Sequence, residues 1–278
     1  MLLCVLAGAA PAARATFPGR PGVIVFNKIE FHDNSQPTGG LFAIRPGESR
    51  PRQLTSNSTD YDPSFEPSGK RLVFRRSDGP GEGIYVLDLR TGRTRRVASH
   101  RGDQSPAFGP EGMIVVSRFI DGSYDLVLYD EDGKTRRLTS DNGGDEGAVF
   151  TPDGRRIVFL RNYRTAVALS RRGTDSEREG VYSIRVDGTG LKFLRPSNRS
   201  GFDFDLSPDG RRFTFRGTFS PNGRKLAYAD RKGLWLRRAD GRGSPTLLLR
   251  TNYKPYKEGG SLIVQPAWQP LPRGAGNR

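Results

Sequence analysis

Cysteine is almost absent from this chain of 278 residues: Cys4 stands alone, inside an N-terminal stretch that reads as removable. Without it there is no disulfide framework, no thiolate nucleophile and no cysteine-held metal. Histidine is nearly as scarce, with only His32 and His100. Two isolated imidazoles do not make a zinc site, and they leave a serine nucleophile without an evident base. The nearest approach to a nucleophile elbow, Gly259-Gly260-Ser261-Leu262-Ile263, lacks its second glycine. No glycine-rich loop leads from a strand into a helix to cradle phosphate. No resident cofactor is expected; calcium stays open because aspartate is plentiful, although no Asp-x-Asp-x-Asp-Gly loop occurs. Nor is any apolar run long enough to span a bilayer.

Acid is also in short supply. Asp and Glu number 30 against 45 Lys and Arg, a net charge of +15. The bases, mostly arginine, are spread along the whole chain rather than clustered, so the sequence predicts a weak, salt-sensitive affinity for anionic polymers and no specific nucleic-acid site.

The N-terminus reads as a secretory signal over residues 1–15: an apolar Leu2-Leu3-Cys4-Val5-Leu6, then Ala13-Arg14-Ala15 before Thr16, a small-x-small cleavage pattern. The basic residue usual ahead of the apolar run is missing. Leu3 before Cys4 does not fit a lipid-attachment context. Export to the periplasm, cell envelope or medium is the expectation, with a domain over residues 16–272 and a disordered tail over 273–278.

What the chain has in abundance is turn formers, 35 Gly and 20 Pro, arranged with a period. An aromatic or leucine, any residue, proline, a polar residue and glycine recur at Phe65-Glu66-Pro67-Ser68-Gly69, Phe108-Gly109-Pro110-Glu111-Gly112, Phe150-Thr151-Pro152-Asp153-Gly154, Leu206-Ser207-Pro208-Asp209-Gly210 and Phe219-Ser220-Pro221-Asn222-Gly223. The first three prolines are 43 and 42 residues apart. After each block comes a short alternating strand, such as Leu72-Val73-Phe74 or Ile157-Val158-Phe159. A third strand and an Asp/Gly turn follow in most, then a fourth strand that carries basic residues before apolar ones, as in Arg95-Arg96-Val97, Arg136-Arg137-Leu138 and Lys192-Phe193-Leu194. Four strands per unit at a period near forty predict an all-β propeller. Its outer strands carry charge at an edge that must not pair.

The first unit begins mid-repeat at Val23-Ile24-Val25-Phe26. Its missing strand is supplied by Pro266-Ala267-Trp268-Gln269-Pro270, so the C-terminus is expected to close the ring. Pro208 and Pro221 are only 13 residues apart, leaving room for a truncated sixth blade beside five complete ones, or for one longer strand over residues 212–219. In the fourth unit a polar insertion over residues 161–180 separates the second and third strands.

The run Pro-x-aromatic-x-Pro-Asp-Gly-x-x-Ile-x-Phe, then Ile-Tyr, then Leu-Thr, resembles the TolB-type propeller repeat. Its best copies are residues 148–159, 63–74 and 206–215, with Leu138-Thr139 and Leu54-Thr55 as closing pairs. The resemblance implies a six-bladed propeller and a protein-interaction role. TolB also has an N-terminal domain, for which the stretch before Val23 is too short, so the TolB partner set is not implied. The same repeat occurs in peptidase propellers and some polysaccharide lyases, and fold alone does not give function.

One constellation points to a site. Asp60, Asp103 and Asp145 stand seven residues before the turn proline, and Asp62 and Asp203 five before it. In a propeller these connectors gather at one mouth of the central channel, where a carboxylate ring could hold a cation, an amine or a basic peptide. The structural alternative is that each Asp caps its own connector. The insertion should rise on the same face, offering Arg161, Tyr163, Arg164, Arg171 and Arg172 to a partner. The sequence thus predicts a monomeric, exported, non-catalytic binding or scaffold propeller. The alternative is an envelope or extracellular enzyme acting on saccharide or peptide through mouth carboxylates.

Overall fold

The computed structural model describes residues 17–33, 36–77, 79–140, 143–162, 179–197, 204–254 and 259–272. They form an all-β propeller with five four-stranded antiparallel sheets. Blade 1 runs from the channel outward as Gly260–Leu271, Arg20–Phe31, Thr38–Ile44 and Arg52–Gln53. Blade 2 comprises Asp60–Phe65, Arg71–Arg76, Gly83–Asp88 and Thr94–Ala98. Blade 3 comprises Asp103–Phe108, Ile114–Ile120, Ser123–Tyr129 and Thr135–Arg137. Blade 4 comprises Gly144–Phe150, Arg156–Asn162, Gly180–Arg185 and Lys192–Pro196. Blade 5 comprises Thr218–Phe219, Lys225–Asp230, Gly233–Arg238 and Thr246–Arg250.

Between blades 4 and 5 lies a two-stranded sheet, Asp205–Leu206 against Phe213–Thr214. One long strand over 212–219 is therefore not formed. Gly217, at φ +85°, breaks it, and Thr218–Phe219 pairs in blade 5 instead. The Asp205 carboxylate ties this ribbon to blade 5 by accepting from the Thr218 hydroxyl at 3.0 Å and the Phe219 N–H at 2.8 Å.

The repeated turn block has a common chemical cause. Gly154, Gly210 and Gly223 take φ of +64°, +69° and +69°, a conformation glycine adopts without a Cβ clash. Their N–H groups donate back to the backbone carbonyls of Thr151, Ser207 and Ser220 at 2.9, 2.8 and 2.7 Å. The side-chain hydroxyls of the same three residues donate to Asp153, Asp209 and Asn222, whose side chains also accept the N–H of the residue after the glycine. The Ser/Thr-Pro-Asp/Asn-Gly spelling is that network written in sequence.

The core lies between blades. Strand alternation sends successive side chains of one strand to opposite neighbours. In blade 3, Val115 joins Leu126, Phe150, Ile157 and Phe159 against blade 4, whereas Ile114 and Val116 join Val73, Ile84 and Val86 against blade 2. That is why the second strands read as continuous apolar runs. The C-terminal strand closes the ring as expected: Ile24 pairs with Trp268 and Val25 with Ala267. Buried Trp268 packs with Ile24, Phe26 and Leu234. The outer-strand residues Arg95, Arg96, Arg136 and Arg137 are exposed, as an unpaired edge requires. Among the described residues, no helix is long and apolar enough to cross a membrane.

Candidate functional site

Six-residue and seven-residue inner strands bring the sequence-predicted aspartates of blades 2, 3 and 4 to equivalent places at the mouth. There Asp60, Asp103 and Asp145 are fully buried, each directly across its sheet from an arginine of the second strand: Arg76, Arg118 and Arg161. Each pair is a two-bond fork. Arg76 donates to Asp60 at 2.7 and 3.0 Å, Arg118 to Asp103 at 2.6 and 3.0 Å, and Arg161 to Asp145 at 2.7 and 2.8 Å. The guanidinium then stacks on aromatic rings of its own blade, Arg76 over Tyr85 at 4.6 Å and Arg161 over Tyr182 at 4.8 Å. In blade 3 the Tyr129 hydroxyl adds a bond to Asp103 at 2.5 Å. Burial and that bond push the Tyr129 phenol well above its ordinary range.

This corrects the carboxylate-ring expectation for Asp60, Asp103 and Asp145. Each is neutralised within its own blade, so the three clips carry no net charge, and none is an accessible ligand group. It also corrects Arg161, expected on the partner-facing loop: it is a buried strand residue held by Asp145. Tyr163, Arg164, Arg171, Arg172 and Asp203 lie outside the described residues. His100 sits 3.6 Å from Asp103 at an exposed position, and His32 bonds the Thr38 hydroxyl at 2.7 Å. Among the described residues, no group of three or more Asp, Glu, His or Cys side chains assembles as a metal site.

Asp62 does reach the channel, by a device that the repeat spelling hides. Five residues before the turn proline, Asp62, Ser105, Gly147 and Gln265 all adopt positive φ, between +49° and +61°. Each lies in a β-bulge, marked by a break in the inner-strand register. The bulge turns the residue toward a central cavity of about 100 Å³, lined also by Asp205 and Trp268. Pro63, Pro106 and Pro266 follow directly in the inner strands, where a missing N–H faces the channel and breaks no ladder. Asp62 joins three blades there. Its N–H donates to the Gln265 side chain at 3.1 Å, the Gln265 amide donates to its carboxylate, and that carboxylate accepts the Ser105 N–H at 3.2 Å. Glu146, beside the bulge of blade 4, was not singled out by spacing. Burial raises its carboxyl above the ordinary range, and the Asn162 side chain pulls it part of the way back.

The mouth departs from its own pattern in one sector. In blade 1 the position seven before the turn proline is Ile263, opposite Lys28. No clip forms; the Lys28 ammonium bonds Glu30 at 2.6 Å and lies 5.6 Å over Phe42. In neighbouring blade 5 the inner strand is only Thr218–Phe219, which pairs with Leu226 and Ala227. Gly217 lies against Tyr228, and among the described residues no strand pairs with the inner edge of Ala229 and Asp230. The two changes together open a groove of about 470 Å³ between blades 5, 1 and 2, lined by Tyr61, Ala229, Arg231, Tyr253, Leu262 and Val264, with Asp230, Ile263 and Gln265. Arg231 lies 5.3 Å over the Tyr253 ring and is exposed. Burial raises the Tyr61 phenol, with Arg75 opposing. Gln265 belongs to both the groove and the channel, so the groove runs into the mouth.

No sequence-family model matches the chain, and no curated protein matches it. Its fold does match solved structures. TolB from Acinetobacter baumannii superposes with a TM-score of 0.69 at 21% identity, over 91% of this chain and 68% of that one. A putative TolB from Agrobacterium tumefaciens gives 0.52 at 17% identity, over 95% and 100%. A gluconolactonase from Xanthomonas campestris gives 0.55 at 14% identity, over 90% and 99%. Identities this low carry the fold and no residue roles. In fold, the chain is a TolB-like β-propeller.

Proposed function

We propose that this protein is an exported, non-catalytic binding module that engages a protein partner through the mouth face of its propeller. The observation that carries the reading is the groove between blades 5, 1 and 2. At every clipped position the mouth is closed by buried ion pairs; here two tyrosines and two aliphatic side chains stand half-covered beside an exposed arginine instead. Half-buried aromatics beside an exposed arginine are the composition of interaction hot spots. The two-stranded ribbon at Asp205–Leu206 and Phe213–Thr214 belongs to the same proposal, as a reduced sixth blade that brings the short inner strand of blade 5 beside the groove. The bulge residue Asp62 sets the channel side of the contact surface.

The test is affinity capture from cell-envelope extract with the purified chain as bait, beside a Tyr61→Ala, Tyr253→Ala double variant. A partner retained by the native chain and lost from the variant, with both baits melting alike, is the expected result. Equal capture by both baits would refute the mouth-face assignment.

A further inference from the structure

Resting on the reading just given, we infer that the occupant of the groove is an extended peptide segment presenting a large apolar side chain next to a carboxylate. Three features select that chemistry. The first is the floor and walls. Leu262, Val264 and Ala229 with the Tyr61 and Tyr253 rings make an apolar slot open to solvent, and a slot of about 470 Å³ accepts one aromatic or branched side chain with room for its backbone.

The second is charge. Arg231 at the rim stacks on Tyr253, and its neighbour Lys232 and Lys254 beside Tyr253 are exposed as well. The acid at this rim, Asp230, has its carboxylate turned to the Trp235 indole N–H at 2.8 Å and to the Lys232 and Gly233 N–H groups. A basic peptide would meet three cations; an acidic one gains a guanidinium already held in place by a ring. The third is the uncovered inner edge of Ala229 and Asp230, where the sheet of blade 5 offers backbone groups that no described strand takes up. An extended segment can add there as a short strand, with alternate side chains directed into the slot.

The experiment is selection of a phage-displayed library of random dodecapeptides on the immobilised native chain. Winning peptides are then synthesised with a fluorescent label and titrated by fluorescence anisotropy. Enriched peptides should pair an aromatic or aliphatic residue with Asp or Glu within a few positions. Arg231→Glu and Val264→Asp should each weaken their binding by about ten-fold or more. Arg238→Glu on the opposite face should leave it unchanged. Circular dichroism melting establishes that each variant is folded, and Tyr253→Ala replaces Val264→Asp if the latter is not. Enrichment of basic or purely polar peptides, absence of enrichment, or equal affinity for native chain and Arg231→Glu would each overturn the inference. A partner captured from envelope extract through the two tyrosines would still support the mouth-face reading, so the two failures are separable.

Discussion

Asp145→Asn is the substitution that best separates a structural from a ligand-binding carboxylate. Asp145 is fully buried and its partner Arg161 is 4% exposed at the side chain, so the pair is the driest of the three clips. The mutation leaves a guanidinium facing a neutral amide where no water reaches. Breaking a buried pair by removing one partner costs about 3–5 kcal/mol. For a domain of this size that is a fall in melting temperature on the order of 10 °C. Replacing both members by apolar residues removes the stranded charge. The double variant Asp145→Leu, Arg161→Met should therefore recover most of the loss, short of the stacking of Arg161 on Phe159 and Tyr182. Thermal melting of Asp145→Asn and of the double variant by circular dichroism is the assay. An Asp145→Asn chain that melts like the native one would refute the clip and return Asp145 to the pool of ligand groups.

Four further predictions follow from the same geometry. Glu146 binds its proton more tightly folded than unfolded, so its contribution is favourable below the ordinary glutamate range and is lost as pH rises through its raised folded pKa; Glu146→Gln should raise the melting temperature at pH 7.5 and leave it unchanged at pH 3.5. A Cβ on Gly109 would sit 2.5 Å from the buried Phe150 ring of the next blade, so Gly109→Ala should destabilise by about 1–3 kcal/mol in denaturant titration. Trp268→Ala should cost about 3–5 kcal/mol. Deletion of everything after Val264 should abolish cooperative unfolding, because it removes the half of the blade 1 inner strand that carries Ala267 and Trp268; a sharp native-like transition in the truncated chain would count against ring closure.

Much of the fold was legible because propellers repeat their chemistry. The spacing of Pro67, Pro110 and Pro152 set the period, and Trp268 matched to Phe65 disclosed the closing strand. The site was harder to read. Asp60, Asp103 and Asp145 were visible as a set, but their meaning depended on Arg76, Arg118 and Arg161, 16, 15 and 16 residues away in sequence and opposite only once the sheets pair. An Arg within the last three residues of the second strand of each blade that has such an Asp was the available signal. Bulges at Asp62, Ser105 and Gln265 share no residue type, only a following proline, so no local propensity marked them. The groove arises from two absences, a clip in blade 1 and a long inner strand in blade 5. An absence becomes visible only against the three blades that keep the pattern.

Photo-crosslinking asks directly whether the groove is where a partner protein sits. A benzophenone amino acid placed at Leu262 in the groove, and in a second protein at Lys70 on the opposite face, is irradiated in envelope extract and the adducts are identified by mass spectrometry. A discrete protein adduct is expected from position 262 and none from position 70. The same adducts from both positions, or an adduct from position 70 alone, would contradict that placement.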